Sequence, residues 1–510
     1  MKKNFILLAL FALVSSFAFA QTAQITGVSK NEFRGVKPIL NKGYYTFYVN
    51  EKASKGMVEF MLELYDLDLN LIKKTPILIS KNSTMIGGEF NGKDFLFAFS
   101  DPMKKQNTFA TIDTDGNLIK QEVRQNKKLA TAGTTAIYPS MDGEGFFVTQ
   151  LVKEKKWGYS IEKLDRNLSA IWEKTVTREK GFVGIEAAEA GNGKLVVISA
   201  ERPSALSSKV FGKIVCFDGA TGKMQYEQPL FDGKITGIPS AVMIDKEGNV
   251  VTAGMYFDGE KWDATNSDGV FFMKLSPAGK KLMYNHVDWD KGIQEKLRAT
   301  SRKFSIGSKP KVLFHEIIEA DNGGYQVIAE TFRKTMKAGT MLAMAAGGSS
   351  QDVPWGFTVM DYVIFNYDKN GEPNYINKIE KPYKSGYVPG SIANMGGVSL
   401  AYYMKKYKMF TYEFTTKLKD SDNQVIVYTN FEDAGLGKGT PYIGVSTLEM
   451  GKESVTNKMP LSKKLAKFTS SGDPEDMRTG AIQSKPGFVC MYYYDKKTQT
   501  INLALEELKL

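Results

Sequence analysis

Two short segments carry the residue types from which metal sites are built. The first, His315-Glu-Ile-Ile-Glu319, is similar to the HExxH pattern with which helices bind zinc. A helix brings residues i and i+4 within ~6 Å of each other. The flanking Val312-Leu-Phe314 and Ala320-Asp-Asn-Gly-Gly324 instead predict a strand and a hairpin, on which the same two residues lie about 13 Å apart. We therefore expect no zinc site at His315.

The second segment, Asp113-Thr-Asp-Gly-Asn117, has the acids of a calcium loop without its spacing. An EF-hand needs glycine at its sixth position and an acid at its twelfth, whereas this chain has glycine at the fourth and Arg124 at the twelfth. We interpret the segment as a hairpin turn. The chain has only two histidines, so it cannot supply a three-histidine zinc centre by itself. We expect no metal and no cofactor, and we interpret His286 as an ordinary strand or turn residue.

Carboxylates offer the remaining chemistry, because the sequence contains neither a nucleophile elbow nor a phosphate-binding loop. Paired acids hydrolyse glycosides when their carboxyl groups lie about 5–9.5 Å apart. The acids in loops that could form such a pair are Asp258, Asp263, Asp268, Glu432 and Asp433.

These residues must be positioned by a repeated element. An apolar alternating run, a turn rich in Asp, Asn and Gly, and a second run recur along the chain. The copies lie at 63–74, 110–121, 161–172, 214–226, 272–284 and 363–375, with a weaker one at 444–452. Each has a second hairpin upstream, so that one unit of about 50 residues contains four antiparallel strands, the size of a propeller blade.

The repeat predicts an all-β chain that forms one β-propeller of eight four-stranded blades, with seven blades or a pair of β-sandwiches as alternatives. The predicted blades are 34–80, 81–125, 126–178, 179–231, 232–287, 288–381, 382–460 and 461–510. The last blade lacks a fourth strand. Gln24-Ile-Thr-Gly27 could supply it, which would close the ring and remove exposed sheet edges.

One copy adds a resemblance. Asp218-Gly-Ala-Thr-Gly-Lys223 followed by Tyr226 resembles the repeat of quinoprotein-type eight-bladed propellers, which typically place Trp at the position of Tyr226. Trp172 holds the comparable place in the third copy. The resemblance implies a secreted bacterial propeller without catalytic motifs and implies no quinone cofactor. Some propellers of similar outline are envelope scaffolds that help to assemble outer-membrane proteins, an analogy of fold alone.

Blades six and seven are longer than the repeat, because of insertions at 291–303, 334–356 and 385–408. The first insertion is predicted to be a short helix. Together with the loops 257–268 and 432–440, all three are expected over one sector of one face, where binding residues concentrate. The candidate partner-binding residues are Trp262, Asp263, Met341, Met344, Trp355, Tyr387, Tyr402 and Tyr403. Packing of the insertions on each other as a small cap is the alternative.

The first 20 residues predict the compartment. Lys2 and Lys3 precede an apolar run that ends in Ala18-Phe-Ala20, which is typical of a secretory signal and too short to span a membrane. We expect export to the periplasm or cell surface and no transmembrane segment. Cys216 and Cys490, both in apolar strand-like runs, are expected to be buried thiols rather than a disulfide.

The lysines that give a formal charge of +11 are scattered, which argues against nucleic acid and leaves weak attraction to an anionic surface open. Two functions follow. The first is a non-enzymatic envelope scaffold that binds another envelope protein through the face formed by the insertions. The alternative is a hydrolase of glycans or small molecules, with Asp258, Asp268, Glu432 and Asp433 at the channel of the propeller.

Overall fold

Eight antiparallel sheets form the blades of a propeller, which confirms the predicted fold class and blade number. A computed structural model describes residues 21–50, 56–126, 135–153, 156–204, 209–262, 266–300, 310–320, 322–335, 355–393, 395–406, 408–419, 424–432, 440–449, 452–460, 479–495 and 497–510. The strands of a blade are lettered a to d in chain order. The a strands of most neighbouring blades contact one another, which places them around the centre of the ring.

The strands of blades one to four follow the repeat. Blade one consists of β2 (Val28–Ile39), β3 (Gly43–Asn50), β4 (Met57–Asp66) and β5 (Leu71–Ser80). Blade two consists of β6 (Thr84–Phe90), β7 (Asp94–Asp101), β8 (Gln106–Asp113) and β9 (Leu118–Gln125). Blade three consists of β10 (Ala136–Pro139), β11 (Phe146–Lys153), β12 (Trp157–Leu164) and β13 (Ala170–Thr177). Blade four consists of β14 (Phe182–Gly191), β15 (Lys194–Arg202), β16 (Phe211–Asp218) and β17 (Met224–Pro229).

Blades five to seven carry the insertions. Blade five consists of β18 (Ile235–Ile244), β19 (Val250–Asp258), β20 (Gly269–Leu275) and β21 (Lys281–Asp288), followed by a π-helical turn (Trp289–Ile293) and a helix (Gln294–Thr300). Blade six consists of β22 (Lys311–Glu319), β23 (Tyr325–Thr335), β24 (Trp355–Tyr367) and β25 (Pro373–Ile379), with an extra strand β26 (Lys384–Val388). Two helices (Gly390–Ala393 and Gly397–Lys406) lead to blade seven, which consists of β27 (Tyr412–Lys417), β28 (Gln424–Glu432), β29 (Thr440–Thr447) and β30 (Thr456–Pro460). No described helix is long and apolar enough to cross a membrane.

Both ends of the chain form blade eight. β31 (Thr479–Gln483), β32 (Phe488–Asp495) and β33 (Thr500–Glu507) are completed by β1 (Thr22–Ile25), which pairs antiparallel with β33 so that Gln24 faces Asn502. The expected closure is therefore present, two residues earlier in the chain than predicted.

The core is divided among the gaps between blades. Each of the eight neighbouring pairs of blades shares one cluster of buried apolar side chains in the described part of the chain. The b and c strands are covered on both faces and are therefore almost continuously apolar, as β7 is, whereas outer strands such as β13 alternate between exposed and half-buried residues. Cys216 and Cys490 are both buried and free, which confirms that expectation.

The predicted turns also join the blades. In the second copy, the Asp113 carboxylate accepts hydrogen bonds from the amides of Asp115 (3.0 Å) and Asn117 (2.7 Å), and Gly116 supplies the positive φ of 78°. In the fourth copy, Gly222 lies directly under the ring of Trp172 from blade three. Trp172 Nε1 also donates to the carbonyl of Gly219 at 2.9 Å. The turn of one blade is thus the docking point for the outer strand of the blade before it.

Candidate functional site on the cap over blade six

Blade six extends beyond the other blades on one side of the ring. Its b and c strands, β23 and β24, remain paired as far as Thr335 and Gly356. Strand β26 pairs with Trp355–Val359 of β24. These residues lie beyond the part of β24 that pairs with β25. Because strands alternate in direction, the b–c and blade-to-blade connections lie on this side, and the a–b and c–d turns lie on the other. These extended strand ends, β26 and the segment 389–411 are called the cap below.

The cap has an apolar core of its own. It is formed by Phe357, Val359, Val388, Ala393, Leu400, Ala401, Met404, Met409 and Phe410, and it rests on Leu313 and Phe332 of blade six. Lys334 at the end of β23 donates to the carbonyl of Ala393 at 3.0 Å, so that the strand extension is bonded to the first helix. The described residues of the third insertion therefore pack on one another, which is the self-packed alternative.

One side of the second helix reaches the centre of the ring. Tyr402 packs against the cluster between blades five and six, and its hydroxyl donates to the carbonyl of Ser240 at 3.1 Å. Ser240 is the bulged residue of β18, the innermost strand of blade five. Burial raises the pKa of Tyr402 to about 12, and the charge of Glu186 on β14 adds to the rise. The helix thus spans from blade six towards blade four.

Most of the described partner-binding candidates are partly buried by contacts within the molecule. Tyr403 lies against the cap core, and Trp355 is partly buried with the Lys334 ammonium 4.0 Å from its ring centroid. Trp262 packs on Gly212 of blade four and touches the clusters on both faces of blade five. Asp263, Met341 and Met344 lie outside the described residues.

Strand β26 carries the exposed aromatic surface of the cap. Tyr387 is 53% exposed, and Tyr383, just before the strand, is 54% exposed. Ser385 between them is exposed too, whereas Val388 is buried in the cap core. Met395 in the link between the helices is 40% exposed. Sequence reasoning named Tyr387 and missed Tyr383, although the two-residue alternation from Tyr383 to Tyr387 is the signal that finds both.

A cluster of titratable side chains, called the ionised cluster after its Glu330–Lys381 ion pair, lies beneath the cap and is centred on Glu330 of β23. Glu330 is fully buried, with Lys381 Nζ at 2.9 Å and His315 Nε2 at 2.9 Å. Thr411 at the end of the cap donates its hydroxyl to the same carboxylate at 2.7 Å and receives a hydrogen bond from the Tyr362 hydroxyl at 2.6 Å. Burial disfavours the charged carboxylate, yet Lys381 and His315 outweigh it and lower the pKa of Glu330 to about 2.

The cluster continues into blades seven and eight. Burial raises the pKa of Glu413, the bulged residue of β27, although Lys408 opposes the rise. Thr429 donates to Glu413 at 2.7 Å, and Lys408 Nζ donates to the Tyr492 hydroxyl of blade eight at 3.0 Å. Lys384 of β26 donates to the carbonyl of Lys408 at 3.3 Å. Polar contacts therefore fasten three blades and both ends of the cap segment together.

The predicted acids occupy two separate blades. Asp268 accepts a hydrogen bond from the backbone amide of Asp258 at 2.9 Å, within one loop of blade five. Glu432 of blade seven pairs with Lys458 on its own blade at 3.0 Å, and Asp433 lies outside the described residues. Within the described ranges, no three His, Cys, Asp or Glu side chains are placed to hold a metal ion.

Residues 315–319 lie on strand β22, as their flanks predict. His315 is a bulged residue of that strand and stacks on Tyr412, with ring centroids 4.5 Å apart. Its role in the ionised cluster was missed, as were Glu330, Lys381 and Glu413. Only the unusual pairing of His315 with neighbouring acids in an apolar strand could have drawn attention to this position.

Comparison with known proteins gives the family but no activity. One family model matches residues 1–509 of this chain, and it is described as a family of unknown function, DUF6770. The chain belongs to this family. No curated protein matches it significantly.

The solved structures similar to the chain differ greatly from it in sequence. The β-propeller domain of the Trilobed protease from Pyrococcus furiosus is 11% identical, with 85% of this chain and 99% of that one covered and a TM-score of 0.38. The Nup133 β-propeller domain of Vanderwaltozyma polyspora is 8% identical, with 96% and 99% covered and a TM-score of 0.37. Prolyl oligopeptidase B from Galerina marginata is 10% identical, with a TM-score of 0.41. The similarity covers 98% of this chain and 57% of that one. At such low identity and TM-score these similarities carry no functional information.

Proposed function

We propose that the protein is an exported, non-enzymatic scaffold that binds another envelope protein through the exposed side of β26. The observation that carries the proposal is the pair Tyr383 and Tyr387, each more than half exposed, the first just before β26 and the second on it, whereas Val388 of the same strand is buried in the cap core. Tyrosine is enriched at protein interfaces because it combines a large apolar ring with a polar end and few rotatable bonds. Export rests on the predicted signal at residues 1–20.

The way in which the cap is attached supports a binding role. Strand β26 is hydrogen-bonded along its length to β24, and Lys384 is tied to the end of the helix segment. A partner that docks on this strand would meet side chains already held in place, so little conformational entropy is lost on association. Rigid presentation of aromatic side chains is what an interface needs and a mobile loop does not provide.

The ionised cluster under the cap supports a scaffold more than an enzyme. The carboxylate of Glu330 is fully buried and already paired with Lys381 and His315. A catalytic acid or base must come within hydrogen-bond reach of its substrate. The charges beneath the cap are therefore better suited to hold the cap than to act on a ligand.

Site-specific crosslinking tests the proposal. A photoreactive residue placed at Tyr387 should trap one envelope protein, and the same residue at Met103 should not. Met103 is the matched control, because it is 79% exposed in the b–c connection of blade two, on the same side of the ring.

The trapped protein is then purified and titrated with variants. Tyr383→Ser with Tyr387→Ser should weaken its binding at least ~tenfold, and Met103→Ser should leave it unchanged. Equal binding by all three proteins would rule out β26 as the interface, and turnover of a glycan by the double variant and wild type alike would favour the hydrolase.

A further inference from the structure

The side of the ring opposite the cap carries a second feature, which is independent of the proposed function. This turn face consists of the a–b and c–d turns. Contacts between neighbouring blades hold these turns side by side: Lys42 Nζ donates to the carbonyl of Gly92 at 3.3 Å, and Lys194 Nζ donates to that of Gly248 at 2.9 Å. Asn91 Nδ2 donates to the carbonyl of Gly145 at 3.2 Å and Trp172 Nε1 to that of Gly219 at 2.9 Å, so that the turns of blades one to five are linked in succession.

Large aliphatic side chains are exposed at equivalent positions of this face. They occupy the first two residues of the outer strand in each of five consecutive blades, and two more lie in a–b turns: Leu71, Ile72, Leu118, Ile171, Met224 and Leu282, with Leu40 and Met141. Each of the eight is 43–53% exposed. Isolated exposed aliphatic residues are common on protein surfaces, but recurrence at the start of the outer strand in five successive blades is not isolated.

The backbone of the repeat turns these side chains outward. In every c–d hairpin of blades one to five, the register shifts at the start of the outer strand. Ile72, Ile171 and Leu282 are the residues that the pairing skips. A bulged residue re-aims its side chain, so the irregularity places an aliphatic group at the edge of the turn face in blades one, three and five. In blades two and four the exposed residue is the first paired one of the outer strand, Leu118 or Met224.

We propose that the turn face of blades one to five docks on the surface of a lipid bilayer. A bilayer is flat, so it can contact all five blades at once, whereas a globular partner would touch one or two. Exposed lysines flank the aliphatic residues at positions 120, 223, 280 and 281. The turns also contain acids, such as Asp68, which is paired with Lys485 at 2.6 Å. Insertion of the aliphatic side chains is therefore the main contribution to binding of the bilayer. Anionic lipid adds to it through the lysines of blades four and five.

Docking in this orientation leaves the cap directed away from the bilayer. Partner binding by the cap and lipid binding by the turn face would use opposite sides of the ring. Either can fail in an experiment without affecting the other.

Vesicle co-sedimentation of the full chain without residues 1–20 tests the proposal. The probes are phosphatidylcholine vesicles with and without phosphatidylglycerol. Ile72→Ser with Leu118→Ser should lower the partition coefficient at least ~tenfold on both vesicles, since each removes a half-exposed aliphatic group that would enter the interface. Lys280→Gln with Lys281→Gln should lower it several-fold only where phosphatidylglycerol is present.

The matched control lies on the same two strands. Leu78 and Val123 are 50% and 55% exposed near the far ends of β5 and β9, away from the turns. Leu78→Ser with Val123→Ser should change partition less than about twofold, because these side chains lie beyond the plane of contact. Three results would each overturn the proposal. The first is an equal loss of partition in both double variants, and the second is no binding of wild type to either vesicle. The third is self-association of wild type that Ile72→Ser with Leu118→Ser abolishes.

Discussion

Blades one and six each bury a carboxylate on a central strand, and the two sites are built differently. In blade one, Glu63 accepts hydrogen bonds from the hydroxyls of Tyr48 (2.6 Å) and Tyr65, and its cation is Lys74 at 2.7 Å. All of these groups belong to that blade, and the Lys74 side chain is 49% exposed. In blade six, the cation paired with Glu330 is Lys381, which has no exposed side-chain surface.

The difference shows what the insertions added to the regular repeat. A charge in blade one is balanced from the solvent side and stabilises one sheet. In blade six, Glu330 has partners from three other chain segments, those of His315, Lys381 and Thr411, and these contacts join the sheet to the cap and to blade seven. A buried ion pair of the second kind seldom improves stability over an apolar pair, but it is costly to break and specifies one arrangement.

The largest effect is expected from Glu330→Gln. The change leaves Lys381 buried without a counter-charge, which costs about 3–5 kcal/mol for pairs of this kind. Urea unfolding followed by tryptophan fluorescence measures it. A loss below about 1 kcal/mol would mean that water or another acid compensates Lys381, and the contrast with blade one would disappear.

A pair of glycine variants measures the strength of the regular docking between blades. Gly222 and Gly193 have φ values of 68° and 66°, but only at Gly222 does an added Cβ meet the Trp172 ring, at 2.6 Å. Gly193→Ala should cost about 1 kcal/mol from backbone strain alone. Gly222→Ala should cost about 1–3 kcal/mol more, because the indole must move. Thermal unfolding of both proteins gives the difference, and equal losses would show that Trp172 contributes little to docking.

Glu63→Gln should be milder than Glu330→Gln. Glutamine keeps one carbonyl oxygen, which can accept from Tyr48 or Tyr65 but replaces only one of the two oxygens that these hydroxyls bond. Lys74 can turn into water. We expect a loss of about 1–2 kcal/mol, the range for weakened hydrogen bonds to a charged group. The same urea titration applies, and a loss as large as that of Glu330→Gln would show that exposure of the lysine is irrelevant.

The smallest effect concerns the pH dependence of the cap cluster. Burial lowers the pKa of His315, although Glu330 opposes this, so the folded state favours the neutral imidazole. The stability that the neutral imidazole contributes to the folded state is complete above the ordinary histidine pKa of about 6.5. It is lost as the pH falls through the lowered pKa of His315. The pKa of Glu330, about 2, adds a second loss, as the pH falls from about 4.3 towards 2.

The matched variant is His315→Gln. Below pH ~6.5, the free energy of unfolding of wild type should fall more steeply with decreasing pH than that of His315→Gln. Glu413, whose pKa burial raises, acts in the opposite direction but is common to both proteins. Parallel pH profiles from unfolding titrations would exclude His315 as the source.

The repeated parts of the fold could be predicted from the sequence because their signals are local. A turn such as Asp113–Asn117 contains its own hydrogen-bond acceptor and its own glycine, so a few adjacent residues determine it. The closing strand was predictable for a related reason, since a blade with three strands leaves an edge that another strand must cover. Both predictions rest on the period of the repeat.

The candidate site could not be predicted in the same way. Glu330, Lys381 and Thr411 meet only because the cap folds back over blade six, and they lie up to 81 residues apart. Exposure was also hard to judge, because Trp262, Tyr402 and Tyr403 look like interface residues in the sequence but fill gaps between elements. The quinoprotein-like resemblance, the export signal and the partner remain predictions.

Native-state hydrogen exchange in Glu330→Gln and Glu63→Gln tests most directly whether the cap is a rigid unit held by the charges beneath it. We predict that Glu330→Gln accelerates exchange of the amides in β26 and the Gly397–Lys406 helix, while blades one to four keep their wild-type protection. Glu63→Gln should leave the cap amides unchanged. If both variants accelerate exchange evenly over the ring, or if the cap amides exchange rapidly in wild type, the cap is not held by this cluster and β26 is not a preformed binding surface.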